Sequence, residues 1–479
     1  MGIQKKMKMY YKFNDYTGNT ADIARSKIHS RYTKLNKLYR EIDSDDSQEI
    51  DNDDDSEDDY GIVIDDKSPH DYLSHYIPGD IISNLSRGTN MKIRDNQNKG
   101  SLADVDDTTI RRFLGVNLMM SVIKYPQLHL YWMGNTKVSG IADSMSLDEF
   151  MSIIKHLQFD YNSENNHNKS DDKLLKFRPL LDSIKMRCKQ LPVPSKVAVA
   201  MMVMSFDNGF QKIEIMKKNM DVPTGLVTFV LIAPDGRLLD IEFYQSYDKL
   251  IEAVKNTKLD ISDYDDLSMG EAAVLRFIKS VRPGTMFFFG EEFTTLRLLD
   301  ILDKHNMGGT GIIAEKHIPH TIKNFSTINF DQHVIEDGNN CIISWQSLYF
   351  ASTVLEVEST KSFLTLCMYK GQEVISEKSK RPDPNIVCKY YEYIQGVDIF
   401  RSLFVCDNSS FRTGKDNVDL ILTLINIACI NSWSEYRVDY PHRNKSRVMC
   451  IRSFKVYIAD DYMTIKNDNT LININNDNE

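Results

Sequence analysis

His442, Arg443, Lys445, Arg447, Arg452 and Lys455 form a basic cluster whose available chemistry is contact with phosphate; the plain alternative is a solvated face. Carboxylates offer a second chemistry, because hard divalent cations take oxygen ligands and hold them against phosphate while water or a hydroxyl attacks. Thiol chemistry is not indicated. The seven cysteines (Cys188, Cys341, Cys367, Cys388, Cys406, Cys429 and Cys450) are scattered and form no CxxC pair, which argues against a structural zinc site and fits reduced thiols. No P-loop, nucleophile elbow or HExxH is present, and Gly308-Gly309-Thr310-Gly311 lacks the lysine of a nucleotide loop. The serine Ser56 precedes Glu57, Asp58 and Asp59, so it reads either as an acid-directed phosphorylation site or as a solvated spacer.

The elements that must position any such site are clearest from Val197 to Phe206. This run is nearly all apolar, rich in Val and Met and too short for most helices, which reads as a strand buried on both faces. Further strands are expected at Leu226–Ala233, Leu238–Tyr244 and Thr285–Phe289, with helices after Ser268 and over Thr294–Lys304. An α/β fold follows. The segment before it reads as helical: Thr108-Thr109 as a cap, a second helix capped by Ser146, and a third interrupted or started by Arg178-Pro179. Helix returns over Pro382–Ile399 and Leu420–Tyr436.

The 479 residues allow two or three domains. The expected division is a disordered basic-then-acidic tail (1–68), a helical dimerisation or DNA-binding-like domain (69–190), a catalytic-type α/β domain (191–360), a helical return (361–460) and a disordered tail (461–479). The net charge of −10 is uneven: residues 1–40 carry ten Lys or Arg and two Asp, residues 41–66 carry fourteen acids and no base, and the rest is left at −4. A slightly acidic body does not advertise broad phosphate binding. No apolar run approaches a membrane span, and no secretory signal is seen at the start, so the expected compartment is nuclear or cytoplasmic.

Several pieces, in order, carry a family likeness. They are Ile110-Arg111-Arg112-Phe113-Leu114-Gly115, Tyr125-Pro126 with Tyr131-Trp132, and His156-Leu157-Gln158-Phe159. Next come Asp172-Lys173-Leu174-Leu175-Lys176-Phe177-Arg178-Pro179, then Gly396-Val397-Asp398 and Asn431-Ser432-Trp433. Together they resemble the piggyBac-type transposases and the cellular proteins derived from them, over about residues 70–460. The resemblance implies an RNase H-like (DDE) core sheet, with a short insertion near 314–340, beside a large helical domain.

It also implies a two-metal site, and here the sequence departs from the pattern. The family's first acid falls on Ala200, its second on Gly290 and its third on Ser347; a further acid is retained as Asp398. Asp207 lies about 20 Å along the strand and on the other face from Ala200. Glu291 and Glu292 adjoin the second position and read as solvated acids at a helix N-terminus. Basic positions that would face DNA have also drifted, at Asn219–Gly225 and Thr310–Lys316. The expectation is a non-cleaving homologue with no catalytic residues, no metal and no cofactor, magnesium entering only if a site has been rebuilt. Its partner would be DNA or chromatin, or else a protein met through the acidic tail or as a homodimer. A residual metal-dependent nuclease is the third reading.

Overall fold

The structure is a computed structural model and describes residues 67–95, 104–160, 172, 174–205, 225–261, 263–318, 334–337, 340–345, 348–353, 385–406, 413–439 and 448–465. The described residues 67–439 and 451–465 belong to one compact unit. The basic arm, the acidic run and residues 466–479 lie outside the described residues, while 461–464, expected in the disordered tail, continue the last helix. The candidates Asp207, Ser347, His442, Arg443, Lys445 and Arg447 also lie outside the described residues.

An eight-stranded sheet carries the main unit, in the order β3-β2-β1-β4-β5-β8-β7-β6. The strands are β1 (Lys196–Ser205), β2 (Gly225–Ile232), β3 (Leu238–Phe243), β4 (Met286–Phe289), β5 (Gly308–Ile312), β6 (Val334–Asp337), β7 (Asn340–Trp345) and β8 (Leu348–Thr353). The first three form an antiparallel meander; β4 and β5 then add in parallel on the other side of β1. That sequence of strands is the RNase H-like arrangement the family resemblance implies. Part of the segment expected to hold a short insertion, 314–340, contributes β6 and the start of β7 to the sheet.

The buried run at β1 is read correctly from its composition. Val197 and Val199 join Phe229, Leu231, Phe287 and Phe289 in a core closed by three helices, Tyr247–Lys255, Met269–Arg276 and Leu296–Lys304. Each fully buried side chain of this kind contributes about 1.5–3 kcal/mol. Ala198 and Ala200 alternate to the opposite face and are also buried, at 0% and 3% exposed, because a long helix over Asn385–Cys406 crosses β1, β4 and β5. Caps fix where the helices begin. Ser268 and Glu271 make a reciprocal capping box, and Ser146 caps the helix Leu147–His156. The helix Asp107–Val122 is capped by Asp106, which accepts from the Thr109 amide at 2.7 Å; Thr108-Thr109 lie just inside it.

In chain order the helices are α1 (Pro69–Ser74), α2 (Gly79–Asp95), α3 (Asp107–Val122), α4 (Ser139–Ser144), α5 (Leu147–His156), α6 (Arg178–Gln190), α7 (Tyr247–Lys255), α8 (Met269–Arg276), α9 (Leu296–Lys304), α10 (Asn385–Cys406), α11 (Asp416–Asp439) and α12 (Ile451–Thr464). Helix α11 is buried nearly throughout and joins the helical layer to the sheet. Its Asn431 accepts from the Leu238 amide at 2.7 Å and donates to the Leu238 carbonyl at 3.0 Å and to the Tyr76 hydroxyl at 3.1 Å. Its Glu435 accepts from Tyr76 at 2.9 Å and pairs with Arg187 of α6. No helix among the described residues is long and apolar enough to cross a membrane.

A charged knot closes the β3 side of the sheet. Asp240 is buried and pairs with Arg276, which also meets Glu242 at 2.7 Å, while Lys185 approaches Glu242 at 3.2 Å. Burial alone would raise the Asp240 carboxyl, but Arg276, Lys185 and the Ser280 hydroxyl outweigh it and hold it below its ordinary value. Replacing Arg276 by Met strands that carboxylate, at an expected cost of about 3–5 kcal/mol in denaturant unfolding at neutral pH. The sign with pH is fixed: a depressed carboxyl contributes stability above its ordinary range and loses it on acidification. The deficit of Arg276→Met therefore shrinks as the pH falls and Asp240 is protonated.

Candidate functional site

Parallel pairing of β1 with β4 runs from Lys196↔Met286 to Val199↔Phe289. Ala200 and Gly290 are the next residues along the two strands. The two positions where the family resemblance puts metal-binding acids thus follow the last β1–β4 pair, Ala200 midway along β1 and Gly290 just past the end of β4. Neither carries a side-chain oxygen. Leu348 and Trp345 pair in the β8–β7 hairpin, and Ser347 between them is not described.

Helix α10 roofs this seam. Lys196 donates to the Tyr393 hydroxyl at 2.9 Å and lies 4.5 Å from its ring centroid, and the same ring meets Phe288 at 4.9 Å. Gly396 allows the close approach, since a Cβ there would overlap the Ala233 carbonyl oxygen. The helix then presents Asp398, half-buried, and three residues later Arg401, its neighbour on the helix surface. Arg401 Nη2 donates to the Met201 carbonyl at 2.9 Å, one residue beyond Ala200.

Glu292 is not a helix N-terminal acid. Helix α9 begins at Leu296 with Thr295 as its cap, so Glu291 and Glu292 belong to the turn before it. Phe293 N and Thr294 Oγ1 both donate to the Gly290 carbonyl in that turn, at 3.1 and 2.9 Å. Glu292 folds back over Gly290, where a Cβ would stand only 2.5 Å from Glu292 Oε2. Its side chain remains reachable by water, yet its carboxyl is crowded by protein. That desolvation raises its pKa; Arg401 opposes the rise and Glu291 adds to it.

The donor set does not fit a pair of divalent cations. Such ions need several converging oxygens, and no three His, Cys, Asp or Glu side chains among the described residues are grouped to hold a metal. A carboxylate leans toward the second position, and a guanidinium bonds the Met201 carbonyl, one residue beyond the first.

The basic candidates divide. Arg452 is exposed on the first turn of α12. Lys455 does not face solvent: it is 0% exposed, and its ammonium donates to Asn426 Oδ1 at 3.0 Å. The helical period of α12 turns it inward against α3, where a buried ammonium requires polar partners. Sequence reasoning missed a different basic surface. Lys92 ends α2, Lys155 ends α5, Lys176 precedes α6 and Lys415 precedes α11; Lys415 Nζ donates to the Lys155 carbonyl at 3.1 Å. Lys155, Lys176 and Lys415 are exposed. Burial and then the charges of Lys415 and Lys176 lower the Lys92 pKa, and burial and then Lys155 lower that of Lys415, as expected of cations held together. Only the lysines in the last turns of α2 and α5 carried a local signal, and that signal reads equally well as helix-dipole compensation.

Residues 68–433 match the family model described as Transposase IS4. The human PiggyBac transposable element-derived protein 3 is 22% identical over 391 residues, covering 78% of this chain and 61% of the relative. The human PiggyBac transposable element-derived protein 2 is 22% identical over 375 residues, covering 74% and 59%. The chain thus spans about three fifths of the length of these relatives. The solved piggyBac transposase synaptic complex with hairpin DNA shares the fold at a TM-score of 0.66 and 18% identity, covering 83% of this chain and 81% of that one.

The seating of α10 can be checked at one atom. Alanine at position 396 gains about 1 kcal/mol of helix propensity, but it must push the Ala233 backbone away. Gly396→Ala is expected to cost about 1–3 kcal/mol net, read from chemical denaturation.

Proposed function

The chain belongs to the Transposase IS4 family, and from that premise we propose that it binds DNA without cutting it. One observation carries the reading: the residues that follow the last β1–β4 pair, Val199↔Phe289, are Ala200 and Gly290. Cleavage by two metal ions needs carboxylates at such a point to clamp the attacking and leaving oxygens. Loss of several together removes orders of magnitude in rate.

Binding asks less of the chain. The solved relative is a complex with hairpin DNA, and here Lys92, Lys155, Lys176 and Lys415 supply a positive surface on the helical layer. Exposed lysines on helix ends and turns suit phosphate contact without base readout. A second reading, protein interaction with no DNA contact, is favoured by the net charge of −10.

The full chain incubated with supercoiled plasmid and Mg²⁺ or Mn²⁺ is expected to leave it uncut; nicking that disappears with Glu291→Ala and Glu292→Ala would establish the nuclease reading instead. Affinity for duplex DNA should fall steeply with salt. Changing Lys155, Lys176 and Lys415 to Ala together should flatten the slope of log K against log salt by about 0.9 for each phosphate no longer neutralised. Absence of any binding at low salt would favour the protein-interaction role.

A further inference from the structure

We infer that the Arg401 guanidinium takes the place of a divalent cation at the β1–β4 seam, so that the seam is closed to metal by an internal cation rather than merely short of ligands. The inference rests on the non-cleaving reading and deepens it. Three observations bear on it. Arg401 reaches from α10 to the Met201 carbonyl at 2.9 Å, beside Ala200. The Glu292 carboxylate has folded into the space over Gly290, 2.5 Å from where a side chain there would begin. The Arg401 charge acts on that carboxylate, and Asp398 sits one helical turn away. A carboxylate displaced along the chain and a guanidinium three residues after the retained acid thus put opposite charges at this seam. A guanidinium suits the role, because it stays charged at every relevant pH and spreads five donors over neighbouring oxygens. It also repels any second cation.

The test is Mn²⁺ binding to the full-length protein, followed by electron paramagnetic resonance of free manganese and by thermal shift, with no DNA present. Wild type should take up no manganese specifically. Arg401→Asp removes the positive charge and adds a carboxylate beside Asp398 and Glu292, and should bind manganese about tenfold or more tightly than wild type. Adding Glu292→Gln to it should abolish the gain. Arg401→Gln, which retains an amide donor for the Met201 carbonyl, should show a smaller gain and covers the case in which the aspartate variant does not fold. Folded variants with native circular dichroism and no manganese uptake would overturn the role of Arg401 while leaving the non-cleaving reading intact. Wild type that binds manganese as tightly as the variants would overturn it too. Wild type that nicks plasmid would instead sink the reading beneath it.

Discussion

The parallel pairing of β1 with β4, roofed by α10, is the constraint on which the remaining architecture depends. It aligns Val199 with Phe289 and so sets Ala200 beside Gly290. Two carboxylates on adjacent strands stand about 5 Å apart. With no cation between them they would repel by about 3 kcal/mol at an effective dielectric near 20. Ala and Gly at those points carry no such repulsion. Packing positions show the reverse pressure: Val197, Val199, Phe287 and Phe289 remain apolar and fully buried, because core volume is felt at the level of single methylenes.

The helical layer is tied to the sheet by polar contacts as well as by apolar area. Asn431, Tyr76, Glu435 and Arg187 form a connected group between α11, α6, the segment after α1 and β3. A buried group of this kind is stabilising only when its members are satisfied. Here the Asn431 carboxamide is engaged at both its oxygen and its nitrogen, and the Glu435 carboxylate holds both a hydroxyl and a guanidinium.

Local physics made much of this legible in the sequence. The Val- and Met-rich run announces β1, Ser146 and Ser268 announce their helices, and Pro179 marks the start of α6. The family likeness adds the RNase H-like order of the sheet. What stayed hidden depends on contacts distant along the chain. Lys455 looks like a surface base by type, and only the packing of α12 on α3 turns it inward. Glu292 looks like a helix-start acid until the cap is found at Thr295. The lysines at 92, 155, 176 and 415 come from four separate segments, and no window of sequence brings them together. Arg401 carried no signal of its own, since its meaning lies in the carbonyl it reaches.

Asn431 has one more consequence. Strand β3 ends the sheet on its side, and an end strand offers bare amides and carbonyls to any passing chain. By both accepting from and donating to the backbone of Leu238, one carboxamide counterfeits the hydrogen bonds of a ninth strand. The border of the sheet is occupied at that point from within, and a foreign strand seeking to extend it by self-association would first have to evict α11.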